Sequence, residues 1–284
     1  MFTKIGYTWD LMKASWDVLK KDKSLLLFPL LSGISCLIVL ASFALPIWFS
    51  GAVQASRQNG GALHLQAIHY IVLFVFYFCN YFVITFFNVA MVACALERMS
   101  GGEPTVGFGF GAAASKLPAI AGWSLVSATV GMILRLIEER SNFIGSLVAG
   151  LLGSAWTLVS YLAVPVMVAE GLGPIAALKE SGRLLKKTWG EQLISSFGFG
   201  LIFGLLSIPG FALIFGGIAG GAAMHSWTLA VGLVLLGILY LLTLALINSA
   251  LQVIFQAAVY RFAREGQTVA GFPVILLQNA MAVK

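Results

Sequence analysis

The residues of this chain most able to do chemistry are amides and phenols set inside apolar sequence. Asn248, Gln252 and Gln256 recur every four residues within the apolar run Trp227–Phe262, with Ser249 beside them and Tyr260 continuing the line. That spacing puts them on one helix face. Tyr77, Asn80, Tyr81, Thr85 and Asn88 form a second set within Ile68–Leu96. Polar groups are costly in hydrocarbon, so they mark either bonds between helices or a polar pathway. Interhelical bonding is the favoured reading, at about 0.6–2 kcal/mol per bond. It expects Gln252 to face protein.

Ionisable groups are few and stand near the ends of apolar runs. Glu97 and Glu170 each close one, with Arg98, Lys179 or Arg183 as expected partners. Arg135 and Glu139 are one turn apart and are expected to pair. His64, His69 and His225 have no clustered carboxylate or thiolate beside them and read as surface histidines. Ser181 lies among basic groups without a histidine base in its segment. No HExxH, GxSxG, GxxxxGK[ST] or CxxC pattern occurs. The expectation is a protein that is not an enzyme, with no cofactor and no metal.

The elements that hold these groups follow from composition. Hydrophobic residues make up 60% of the 284 and charged residues 10%. Soluble domains carry roughly 45–50% and 25%. A bilayer crossing needs about 20 apolar residues, and six runs qualify: Leu25–Phe49, Ile68–Leu96, Leu117–Ile137, Phe143–Val168, Leu193–Phe215 and Trp227–Phe262. The first is too long for the roughly 7–15-residue core of a secretory signal. Cys36, Cys79 and Cys94 all lie in apolar runs and read as small hydrophobes. The fold class is therefore all-α, a polytopic bundle of six transmembrane helices with amphipathic helices at its cytoplasmic surface.

Orientation follows from basic residues. With both termini on one side, that side holds fourteen lysines and arginines, and the other holds only Arg57, Arg135 and Arg140. Both termini are then cytoplasmic. The net charge of +6 reflects this bias, and no nucleic-acid partner is called for.

One stretch is written twice on the basic side. Residues 13–21 read KASWDVLKK and residues 179–187 read KESGRLLKK. In the first copy, Ile5, Trp9, Met12, Trp16 and Leu19 gather on one helical face, opposite Asp10, Lys13, Asp17, Lys20 and Lys21. In the second, Leu178, Leu185 and Trp189 share a face flanked by Ala177, Ser181, Leu184 and Thr188, opposite Lys179, Arg183, Lys186 and Lys187. Gly173-Pro174 starts that helix. Both suit a helix lying at the headgroup level.

A fainter third copy spans Phe108, Ala112, Ser115, Lys116 and Leu117, and the connector Gly102–Phe108 is echoed at Gly266–Phe272. The organisation read from these is one transmembrane domain over 1–284, built as three helix-hairpin pseudo-repeats at about 1–99, 100–170 and 171–284. Gly200-x-x-x-Gly204 and the Gly145, Ala149, Gly153 series read as close helix contacts. Pro209 reads as a kink, and Gly216–Gly221 as a loop or a re-entrant turn.

Pro165-Val166-Met167-Val168-Ala169-Glu170-Gly171-Leu172-Gly173-Pro174, followed by Ala177, Ser181, Leu184 and Trp189-Gly190, resembles a family of uncharacterised bacterial integral membrane proteins without an assigned function. Ala14-Ser15-Trp16 with Leu25–Gly33 resembles that family's start. More distantly, Glu170–Ser181 is similar to the membrane domain attached to some glycerophosphodiester phosphodiesterases. Their chemistry resides in a separate soluble barrel, so the likeness implies architecture and carries over no catalytic residue.

The resulting expectation is a non-enzymatic protein of the bacterial inner membrane, an accessory or scaffold component contacting anionic lipid and leaving room for a protein partner. A small transporter or channel using the Asn248/Gln252/Gln256 face stands beside it, and so does a lipid-modifying enzyme.

Overall fold

The computed structural model describes residues 2–49, 67–140, 143–188, 192–223 and 225–265. Helices account for nearly all of them, and no strand occurs among the described residues. They are α1 (Phe2–Lys21), a 3-10 turn at Lys23–Leu26, α2 (Leu27–Phe49), α3 (Ala67–Met99) and α4 (Val106–Ala114). After these come α5 (Leu117–Arg140), α6 (Phe143–Val159), α7 (Ala163–Glu170), α8 (Pro174–Thr188), α9 (Gln192–Ala223) and α10 (Trp227–Glu265).

Six helical stretches are long and apolar enough to cross a membrane: Lys23–Pro46, Tyr70–Met99, Leu117–Glu139, Gly145–Glu170, Phe199–Gly221 and Trp227–Glu265. They match the six runs read from the sequence. Their apolar side chains face outward, with Leu37 65%, Phe215 66% and Leu239 63% exposed. Hydrocarbon, not water, is the solvent that satisfies such a surface. The chain is a multi-pass, all-α membrane protein.

The chain divides into two compact units. One comprises Met1–Leu26, Ala95–Gly102 and Lys187–Lys284; the other comprises Leu27–Cys94 and Glu103–Lys186.

In the first unit, α9 and α10 form an antiparallel hairpin. A Cβ on Gly217 would lie 2.8 Å from Leu233 Cβ and 3.2 Å from the Ala230 carbonyl, and one on Gly237 would lie 2.8 Å from the Gly210 carbonyl. The backbones approach closely because these positions lack side chains. Helix α9 continues through Pro209. The Tyr240 hydroxyl donates to the Leu206 carbonyl at 2.7 Å, beside the Leu205 carbonyl that Pro209 leaves without its usual donor.

Two expectations are corrected here. Gly216–Gly221 is neither loop nor re-entrant turn but helix, and Gly217 and Gly221, four residues apart, both face α10. Among the described residues, the Gly200/Gly204 pair has nothing within 4 Å of either added Cβ, so the tight seam lies further along the helix. The hairpin turns at His225, which is exposed and adopts a positive φ of 50°.

Helix α10 changes character along its length. Of its buried residues, all but Gly237 fall between Ala250 and Ala263. Here α1 packs against α9 and α10, and Phe199 stacks on Phe255 at 5.5 Å. At the foot of this unit the Arg98 guanidinium donates to the Lys21 carbonyl (2.9 Å) and the Gly102 carbonyl (3.3 Å), capping the end of α1. Arg261 donates to Ser100 Oγ at 3.0 Å and pairs with Glu265 at 3.1 Å.

In the second unit, α5 and α6 form a hairpin in which Trp123 stacks on Trp156 at 5.8 Å. Helix α4 is capped by Thr105, whose hydroxyl accepts from the Phe108 amide at 3.1 Å. Its Gly109 presses on Phe28 of α2 and on the buried Val89–Cys94 stretch of α3: an added Cβ would lie 2.6 Å from Phe28, 2.8 Å from Cys94 Sγ and 3.0 Å from the Ala90 carbonyl. The three cysteines are free, as expected. Gly171 ends α7 in the left-handed conformation (φ 66°), and Pro174 begins α8 in the expected place.

Candidate functional site

The repeated stretch is helical in both copies, within α1 and α8. In α1, Leu11, Ser15, Val18 and Leu19 are buried; in α8, Ala177, Ser181, Leu184 and Leu185 are buried. Shifted by the spacing of the sequence repeat, each of these four buried positions of α8 falls on a buried position of α1, which also buries Met12 and Ala14 where α8 has the half-buried Leu178 and Glu180. The copies therefore share a packing register as well as residues.

The buried face of α1 is rotated from the expected one. Met12 and Leu19 lie in it as read, while Trp9 is 53% and Trp16 39% exposed. Ala14 and Ser15 are buried in their place, because small side chains let a neighbouring helix come close. The tryptophans are left at the edge, as interfacial anchors are.

Opposite the buried faces stand the expected cations. Lys13, Lys20 and Lys21 are exposed on α1, and Lys179, Arg183 and Lys186 on α8. Lys20 pairs with Asp17 at 2.8 Å and Arg183 with Glu180 at 3.6 Å, both within one turn. Lys13, Lys21, Lys179 and Lys186 have no ion pair among the described residues. The hydrogen bond from Lys20, reinforced by Lys13 and Lys21, holds the Asp17 carboxyl below its ordinary range. The side chains of Ile5, His69 and Lys187 lie outside the described residues, as do His64, Trp189-Gly190 and the Gly266–Phe272 echo.

The two serines of the repeat are fully buried but bonded differently. Ser15 donates to Leu11 of its own helix at 3.1 Å. Ser181 donates to the Val159 carbonyl at 2.6 Å and accepts from the Leu162 amide at 3.0 Å. It thereby repairs the break between α6 and α7, where Pro165 has no N–H for the Tyr161 carbonyl one turn back. The hydroxyl is occupied on both sides by backbone. Ser115 of the third copy instead ends α4, exposed, donating to Ala112 at 2.8 Å.

The amide stripe begins far along α10 from its first residue, Trp227. Asn248 stands 21 residues after Trp227, about 32 Å at 1.5 Å per residue, one hydrocarbon thickness. Asn248 and Gln256 are half-buried and Gln252 is exposed. The Gln252 Nε2 donates to Asn248 Oδ1 at 2.9 Å, within the same helix. On α3, Asn80 donates to the Phe76 carbonyl at 3.0 Å, also within its helix, and Asn88 is half-buried. The expected Arg135–Glu139 pair is present at 2.7 Å.

The model for a family of unknown function, DUF6159, matches residues 67–272, more than two thirds of the chain. The chain belongs to this family. The DUF6159 match runs from the start of α3 past the end of α10 and includes α8, the second copy of the repeat. Helices α1 and α2 precede the matched range. The expected membership of a family without an assigned function is met. A comparison with curated proteins finds no match.

Proposed function

We propose that this chain is a non-enzymatic, multi-pass scaffold of the bacterial cytoplasmic membrane, with both termini cytoplasmic, that docks anionic lipid headgroups on the basic faces of α1 and α8. One observation carries the reading: the shared burial register of the two copies turns Lys13, Lys20 and Lys21, and Lys179, Arg183 and Lys186, away from their own packing. A helix seated on one face and cationic on the other is suited to an anionic surface. Each cation near such a surface contributes about 1 kcal/mol. The positive-inside count supports the cytoplasmic side.

Changing Lys20, Lys21, Lys179 and Lys186 together to Gln tests it. Co-purifying phosphatidylglycerol and cardiolipin should fall several-fold while the chain stays folded and correctly inserted. Unchanged bound lipid with orientation preserved would mean that these lysines act only during insertion.

A further inference from the structure

Beyond the basic faces, the second unit holds a polar pocket of about 470 Å³ between α3 and α5, lined by Tyr77, Tyr81, Gly131, Arg135, Glu138 and Glu139. Its volume is that of a small-ligand site. Arg135 lies 18 residues after Leu117, about 27 Å along α5. The pocket therefore sits near the headgroup level at the end of the span away from α4, which abuts the start of α5.

The pocket is built around one guanidinium. Arg135 Nε donates to Glu139 Oε1 at 2.7 Å and Nη1 donates to the Tyr77 hydroxyl at 3.3 Å. Those two bonds fix the planar group and leave Nη2 with no partner among the described residues. Gly131 makes room for Tyr81, since an added Cβ would lie 3.3 Å from its hydroxyl. The Tyr81 hydroxyl has no hydrogen bond among the described residues.

Glu139 neutralises Arg135, while Glu138, exposed on the rim, has neither ion pair nor hydrogen bond among the described residues. The lining therefore offers an anion donors at Arg135 and Tyr81, and offers a cation the Glu138 carboxylate and two tyrosine rings. A simple anion would meet the uncompensated Glu138 carboxylate, and a simple cation would leave the Arg135 Nη2 and the Tyr81 hydroxyl without an acceptor. A ligand carrying both charges on a short linker answers both. Residues three apart on a helix face are about 5–6 Å apart at Cβ, a separation suited to a two-carbon linker.

We infer that this pocket binds a phosphoethanolamine group, with its phosphate on Arg135 and Tyr81 and its ammonium on Glu138. The purified full-length chain in detergent should bind dihexanoyl phosphatidylethanolamine by titration calorimetry, and bind dihexanoyl phosphatidylglycerol markedly more weakly. Glu138→Gln, at an exposed position whose melting temperature should not move, should weaken ethanolamine-lipid binding about tenfold or more. Arg135→Gln should remove it, and the four-lysine Gln variant should leave it unchanged. Comparable binding of glycerophosphoethanolamine would assign the site to a soluble phosphoethanolamine, and binding that requires the acyl chains would assign it to the lipid. Equal affinity for both lipids, or wild-type binding by Glu138→Gln, would overturn the inference without touching the proposal for α1 and α8.

Discussion

Ser181 and Ser15 occupy equivalent positions in the repeated stretch, yet their hydroxyls bond differently. Ser181→Ala would strand the buried Leu162 amide and the part-buried Val159 carbonyl, which Ser181 holds at 3.0 and 2.6 Å. The expected loss is about 1–3 kcal/mol, read as a lower melting temperature in detergent. Ser15→Ala removes only a bond back into its own helix and should cost less. Equal losses would mean that Ser181 does not hold the break. That both serines are buried follows from helical periodicity, which is legible in sequence; the Ser181 partners lie about 20 residues upstream across a turn, and no periodicity points there. For Gln252, the expectation of a protein-facing amide meets an exposed side chain bonded to Asn248. A residue four positions along the same helix is always within reach, whereas a partner on another helix must be brought by packing. Asp17 gives a pH-dependent check. Its carboxyl is held low, so the contribution of its pairing is complete above the ordinary value of 3.8 and is lost as pH falls through the lowered one. A carboxyl titration followed by NMR should place its midpoint below 3.8, and Lys20→Gln should raise it; a wild-type midpoint at or above that value would contradict the pairing.

At the scale of elements, apolar run length located all six helices long and apolar enough to cross a membrane, because a bilayer imposes the same length requirement on every helix. Glycine patterns were less informative. A glycine every four residues says that a smooth face exists, not that another helix occupies it, and Gly200 and Gly204 face open space while Gly217 and Gly237 meet backbone. Gly217→Ala should therefore lower the melting temperature, since the added Cβ meets the Ala230 carbonyl at 3.2 Å. Gly204→Ala should be neutral or raise it, by up to about 1 kcal/mol of helix propensity. A destabilised Gly204→Ala beside an unaffected Gly217→Ala would place the seam where the sequence pattern alone puts it. The break between α6 and α7 is readable in retrospect from Pro165, but an apolar run of the right length hides it. The same holds for the reach of α10, where the lipid-facing part and the buried Ala250–Ala263 part are both apolar and differ only in what surrounds them.

At the scale of the whole molecule, the proposal requires the two copies of the repeat to meet the same leaflet. Each copy is seated by its own unit with the same register, which supports a duplicated docking device. Only the membrane can place them on a common side. With Cys36, Cys79 and Cys94 changed to Ala, single cysteines in place of Lys20 and Lys186 can be compared with others in place of Glu138 and Ser226. An impermeant thiol reagent applied to intact spheroplasts should label the Glu138 and Ser226 positions and spare the Lys20 and Lys186 positions until the membrane is opened. Labelling of Lys20 or Lys186 from outside, or of one and not the other, would contradict a shared cytoplasmic face.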